Sequence, residues 1–230
     1  MKNITINHTS IEQNWHVKKE ISDLLLNAQT LVLGSFNPYN PNGNNADFYY
    51  GRGSNYFWPI IARLKELDGQ YYSNSIERKI IAMQEHSFCF TDIISKIEIS
   101  GIEAEDYACK KIFSGYSDQV LFTTNTIYQG RKIEVRRTYN QHVLEVLKNG
   151  KIQTVIHTMG NNRIDKYHKT KPKERGNYGF QNYWQQLRNS SPGVIFDSIS
   201  FSPSAYAVRV GGEKYLETLT EWINNNLKIK

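Results

Sequence analysis

Cysteine is scarce in this chain: Cys89 and Cys109 are the only two in 230 residues. Two thiols exclude a disulfide-dense secreted scaffold, and they exclude a cluster that needs four thiolates from one chain. Long apolar runs are missing too. None approaches the ~18 residues that a membrane span requires, and residues 1–5, MKNIT, lack the long apolar core of a signal peptide. The expectation is therefore an intracellular, cytoplasmic protein without a membrane anchor. Three triplets match the N-glycosylation pattern, but 22 asparagines make chance matches ordinary.

Several catalytic signatures are absent as well. There is no GxxxxGK(S/T) phosphate loop and no GxSxG elbow, and Gly51-Arg52-Gly53-Ser54-Asn55-Tyr56 lacks the third glycine of a dinucleotide loop. His142, His157 and His168 fall in no HExxH or Cys/His spacing. A single histidine after a strand reads more readily as a hydrogen-bonded core residue than as a ligand. No metal and no cofactor is expected.

What is present suits a globular protein. Hydrophobic residues make up 39% and aromatics 13%, too much for a disordered chain, and the length fits one domain with its own core. Lys and Arg outnumber Asp and Glu by 28 to 22, a net charge of +6, which permits a polyanionic partner without establishing one.

Apolar spacing orders the chain. Val17, Ile21, Leu24 and Leu25 share one helical face. Residues 30–36, TLVLGSF, read as a buried strand delivering a loop of turn formers. Phe57, Ile60, Ile61, Leu64 and Leu67 restore helical spacing, with Ser54 as a candidate cap and Pro59 near enough to the start to be tolerated. Further helices are expected near 76–84, 139–147 and 182–187 and over Leu216–Leu227, and strands at 87–93, 119–123, 152–158 and 194–201.

This alternation predicts an α/β fold, a three-layer α/β/α sandwich around a mostly parallel sheet, with residues 1–230 as a single domain. Ligands of such sheets sit outside the strand carboxyl ends, so the loops after Phe36, Ile93, Thr158 and Phe201 are the ones of interest. A basic insertion at about 161–180 (Lys166, Lys169, Lys171, Lys173 and Arg175 against Glu174) reads as a solvated loop or as a flap contacting phosphates. Arg131, Lys132, Arg136 and Arg137 leave the same two readings open.

Three segments at expected strand ends carry motifs. They are Gly34-Ser35-Phe36-Asn37-Pro38 with the following stretch 48–59, FYYGRGSNYFWP; residues 88–101, FCFTDIISKIEISG; and residues 201–209, FSPSAYAVR. These resemble the uracil-DNA glycosylase superfamily. The first is similar to the mismatch-specific branch, with G-I-N-P before an aromatic-x-H-P-x-N-x-F-W stretch, and to the hypoxanthine-DNA glycosylase-like branch, with G-S-M-P and Y-Y-A-H-P-x-N-x-F-W. Residues 88–101 are similar to that superfamily's W-D-V-I segment, and residues 201–209 to its later (H/N/S)-P-S motif.

The resemblance implies a glycosylase that flips a deaminated base, uracil or hypoxanthine, out of DNA and directs water at the sugar carbon. Gly34, Ser35, Phe36 and Tyr50 would form the base pocket, with Tyr50 stacking on the base. Asn37 would position the water, and Asn55, whose amide offers both donor and acceptor, would act in catalysis on an amide–imide edge. Ser202, Pro203 and Ser204 would pinch a phosphate, Tyr206 would occupy the wedge position, and Arg209 would reach the backbone or the orphaned base. Without the motif, Asn37 reads equally as a turn former, Tyr50 as a half-buried core aromatic and Arg209 as a surface arginine. Phe57 and Trp58 read as core.

The departures are specific. The Asp of the best-known branch is missing from the first motif, Arg52-Gly53 replaces H-P, Ser202 stands for His or Asn, and Tyr206 replaces an apolar wedge. These changes imply slower chemistry that relies on positioning and electrostatics. The leading expectation is thus a monomeric, metal-free DNA glycosylase. A catalytically weak nucleic-acid-binding module of the same fold and a free-nucleoside hydrolase are the alternatives.

Overall fold

Three segments, TLVLG, FCFTD and TVIH, are apolar on both faces, so they are stable only as strands covered from both sides. They form three of the four strands of a parallel sheet. The computed structural model describes residues 2–15, 19–41, 43, 45–102, 125–128, 131–159, 178–197 and 199–230. In it, β2 (Thr30–Gly34), β3 (Phe88–Asp92), β7 (Thr154–His157) and β8 (Ile195–Phe196) make a four-stranded sheet in the order β3-β2-β7-β8, with every pairing parallel. Leu31, Val32, Leu33, Val155 and Ile156 are completely buried.

Helices supply the covering layers. α2 (Lys19–Asn27) turns Ile21, Leu24 and Leu25 inward and packs against β3, α4 (Ile76–Glu85) and α5 (His142–Asn149), which in turn meets α6 (Tyr178–Asn189). α3 (Phe57–Leu64) packs against α7 (Ala205–Leu227). The α/β fold with a parallel sheet flanked by helices is therefore the one its apolar pattern predicts.

A second sheet lies beyond that expectation. β1 (Lys2–Asn7), β4 (Ile94–Ile102), β6 (Arg131–Tyr139) and β5 (Asn125–Tyr128) form an antiparallel sheet in the order β1-β4-β6-β5. Its inward face carries Ile6, Ile97 and Ile99, which join the same core as Leu31 and Val32. Only Ile93 separates β3 from β4, and its N–H bonds the Gly34 carbonyl at 3.0 Å. The antiparallel sheet thus begins where the parallel strand ends. Because β1 pairs with β4, the chain just after Asn7 is delivered to the end of β3.

Other differences are local. The helix expected over 139–147 begins at His142, because Tyr139 pairs with Ile94 as the last residue of β6 and stacks on Tyr183 with centroids 4.7 Å apart. The strand expected over 194–201 is confined to Ile195–Phe196 at the sheet edge. Ser54 does not cap α3. The Asn55 Oδ1 accepts the Phe57 N–H at 2.9 Å, while the Ser54 carbonyl accepts the Ala205 N–H at 3.1 Å. Val17, Cys109, His168, the strand expected at 119–123 and the basic stretch up to residue 177 lie outside the described residues. Among the described residues, no helix is long and apolar enough to cross a membrane.

Candidate active site

Parallel register brings three strand ends together: Gly34 lies opposite Asp92, and Thr158 follows the Leu33–His157 pair. The loop leaving β2 is tied down at once. Phe36 is buried, edge-on to the His8 ring, and the Ser35 carbonyl accepts the Ile94 N–H at 3.0 Å. The Asn37 carbonyl accepts the Thr9 N–H at 2.7 Å and the Thr9 hydroxyl at 3.0 Å. The Asn37 side chain is half-buried, and its Oδ1 accepts from the Arg52 guanidinium at 3.3 Å. Its amide nitrogen is therefore turned away from Arg52.

Tyr50 arrives in the left-handed region, φ 55°, a strained conformation for an aromatic residue. That turn aims its hydroxyl at Thr158 Oγ1, 2.7 Å away, while its ring stacks on Phe57 at 4.9 Å and 23°. Phe57 and Trp58 are core residues as expected, and the Trp58 indole N–H donates to the Tyr49 carbonyl at 2.7 Å. Asn55 spends its acceptor oxygen on the α3 cap, so its Nδ2 hydrogens are what it offers a ligand.

The late motif meets the first one directly. Asn55 and Ser204 form a two-residue antiparallel bridge, and the Tyr56 N–H donates to the Pro203 carbonyl at 2.8 Å. Within the turn, Ser202 and Ser204 hydroxyls are 3.1 Å apart, and Ser204 Oγ caps α7 by accepting the Ala207 N–H at 3.3 Å. The Ser202 N–H donates to the Tyr215 hydroxyl at 2.8 Å, which itself donates to the Ser202 carbonyl at 3.1 Å. Tyr206 projects from the first turn of α7 and is 66% exposed, with the Arg209 guanidinium 5.8 Å from its ring centroid.

Two residues that motif reading passed over lie at the same strand ends. Asp92, almost fully buried, pairs through Oδ2 with His8 Nε2 at 2.6 Å. The Ser10 N–H donates to His8 Nδ1 at 3.0 Å, which makes Nδ1 the acceptor and puts the ring proton on Nε2, facing Asp92. The other oxygen lies across the end of β2: a β-carbon built on Gly34 would fall 2.0 Å from Asp92 Oδ1 and 3.0 Å from the Tyr50 hydroxyl. Burial, reinforced by Asp92, raises the pKa of the neighbouring Tyr49 phenol and keeps it protonated. The sequence signal for Asp92 was the carboxylate closing the apolar run FCFTD, within the stretch that resembles W-D-V-I. His8 has none, since only the β1–β4 pairing brings it there.

A polar cleft of about 370 Å³ opens on the loop that carries Arg52 and is lined by Asn45, Asp47, Ser54 and Asn74, but not by Asn37, Tyr50 or Asp92. Asp47 there is held by the fully buried Lys79 at 2.6 Å. Together, the strand ends offer a carboxylate with an oriented imidazole, two amides and a hydroxyl pair, beside a Ser-Pro-Ser turn. Such a set can hold the polar edge of a planar ring and a phosphate near it. Among the described residues, no three His, Cys, Asp or Glu side chains come together to hold a metal ion.

No protein-family model matches the chain, and no curated protein matches it. Among solved structures it is similar to the solution NMR structure of a Methanosarcina acetivorans protein described as a "putative Uracil DNA glycosylase", at 16% identity and a TM-score of 0.46, over 87% of this chain and 94% of that one.

Proposed function

We propose that this protein is a monofunctional DNA glycosylase, its residues 1–230 forming one catalytic domain, that flips a deaminated base out of DNA and hydrolyses its N-glycosidic bond. The observation that carries this reading is the bridge between Asn55 and Ser204. It joins the base-handling segment to the Ser-Pro-Ser turn, so a base and the phosphate beside its sugar can be held at once. Asn37 and Asn55 present amide hydrogens to the base or to the attacking water. Tyr50 closes the pocket, Ser202 and Ser204 bind phosphate, and Tyr206 with Arg209 fills the vacated stack. The net charge of +6 supports a DNA-facing surface.

The test is base release from labelled duplexes containing G·U, A·U or T·I and from single-stranded U, with abasic sites cleaved by alkali. Release from at least one substrate at stoichiometric enzyme is expected, and Asn37→Ala should slow single turnover by about 10²-fold with little loss of binding. Absence of release from every substrate sinks the catalytic reading. A binding module without catalysis is the second reading, and the engagement of both amide oxygens, Asn37 by Arg52 and Asn55 by the α3 cap, favours it. Salt-sensitive DNA binding without base release would establish that one.

A further inference from the structure

We infer that Arg52 controls which atom of the Asn37 amide is available for chemistry, holding the amide oxygen to itself until a DNA phosphate draws its guanidinium away into the adjoining cleft. The inference rests on the glycosylase reading and deepens it. A water that attacks carbon must keep a lone pair for the new bond and give a hydrogen to an acceptor. Amide hydrogens would take that lone pair instead, so Asn37 can steer the water only with the oxygen that Arg52 holds.

The surroundings of Arg52 set up this exchange. A guanidinium can only donate, so the Asn37 atom 3.3 Å from Arg52 Nη2 is the oxygen. That bond is long, and its acceptor is neutral. A phosphate oxygen offers a shorter, charge-assisted bond of about twice the strength and can engage the guanidinium at two points. Arg52 is half-buried and lines the polar cleft together with Ser54 and Asn74. The carboxylate lining that cleft, Asp47, is already claimed by Lys79, whose side chain is 1% exposed and lies 2.6 Å from Asp47 Oδ2. Among the described residues, no carboxylate pairs with Arg52. Lys79 thus keeps Asp47 from capturing Arg52 and offsets a charge that would repel an anion. The turn bearing Arg52 is docked on the Ser-Pro-Ser turn, through the Ser54 carbonyl and the Ala205 N–H at 3.1 Å and the Tyr56 N–H and the Pro203 carbonyl at 2.8 Å. A strand held by Ser202 and Ser204 therefore brings a neighbouring phosphate toward Arg52. Gly53, beside it, leaves room for that approach, since a β-carbon there would meet nothing within 4 Å. Arg52 is then a positioning residue, acting through Asn37.

Two measurements on the full chain separate this claim from catalysis. The first is affinity for a duplex with a tetrahydrofuran abasic site, followed by fluorescence anisotropy as salt is raised. Arg52→Met should weaken binding about tenfold and reduce the slope of log affinity against log salt by about 0.9, the share of one phosphate. Arg52→Lys, which keeps the charge, should restore the slope. A slope unchanged in Arg52→Met overturns the inference. The second is the side-chain amide pair of Asn37 in the NMR spectrum of nitrogen-15-labelled protein, assigned by its loss in Asn37→Ala. Without DNA, this pair should be displaced in Arg52→Met from its wild-type position, toward the position that the wild type reaches when the duplex is added. A pair at the same place in both proteins shows that Arg52 does not hold the amide, and it overturns the inference as well. Base release is measured separately on the duplexes above. The expected slope and amide shift without release would sink the glycosylase reading and leave the exchange at Arg52 standing. Release with an unchanged slope or an unmoved amide would do the opposite, and a wild type that fails to bind the duplex overturns both.

Discussion

At Gly34 a single atom decides whether the site can exist. No left-handed backbone is needed there; the constraint is the carboxylate of Asp92, lying where a β-carbon would sit. Gly34→Ala must push Asp92 off His8 or part β2 from β3, and an expected destabilisation of about 1–3 kcal/mol should appear as a lower urea midpoint at unchanged slope. Asn37, Tyr50 and Asn55 were legible as site candidates because they stand in a local motif at a strand end. Their hydrogen-bonding roles were not. Which amide atom each asparagine has left depends on Arg52, fifteen residues away in sequence, and on the first N–H of α3. His8 lay beyond sequence reasoning altogether, since its partner is 84 residues distant.

At the scale of elements, the last helix shows what local patterning can and cannot tell. Leu219, Ile223 and Leu227 give its buried stripe, which the apolar spacing predicts. Gly212, with φ 67° and ψ −162°, breaks it after the first two turns, so the portion bearing Tyr206 and Arg209 has its own direction. Tyr215, just past the break, holds both the N–H and the carbonyl of Ser202 through its hydroxyl. Tyr215→Phe removes that clasp while retaining the ring against Phe201. It should cost about 1 kcal/mol of stability and weaken binding to an abasic-site duplex several-fold, measured by fluorescence anisotropy. Unchanged affinity would show that the Ser-Pro-Ser turn needs no outside support. The antiparallel sheet was missed for a related reason. NITIN, ISKIEISGI and RKIEVRRTY alternate apolar and polar residues as half-buried strands do, but the pairings of β1 with β4 and of β4 with β6 join segments far apart in sequence.

The molecule as a whole stores ionisable groups in its core, and their titration should be visible in its stability. Burial pushes the Tyr72 phenol up to about 12, aided by Glu85 and Tyr71, and burial raises Tyr49 and Tyr183 further. In the unfolded chain each ionises near 10. The folded state therefore holds protons that the unfolded state has released, and stability declines as pH rises from about 10 through 12. Each such tyrosine contributes a slope of about 1.4 kcal/mol per pH unit in that window. Chemical denaturation between pH 8 and 11 should show little change from these tyrosines below 9.5 and a steep fall above 10. Tyr72→Phe should lessen the fall, because a phenylalanine has no proton to lose.

What the sequence determined by itself is whatever local periodicity can encode: the doubly buried strands, the helices that cover them, and the strand-end loops where a ligand of such a sheet belongs. Residue types at those loops pointed to Asn37, Tyr50 and Asn55. The tertiary structure alone decided which hydrogen bonds those residues make, and it brought His8 and Asp92 to the same strand ends. The physical reason is that hydrogen-bond partnership is not local. A buried carboxylate persists only with a partner, and here that partner arrives from just past the edge strand of a second sheet, across a β1–β4 pairing that no neighbouring residue announces.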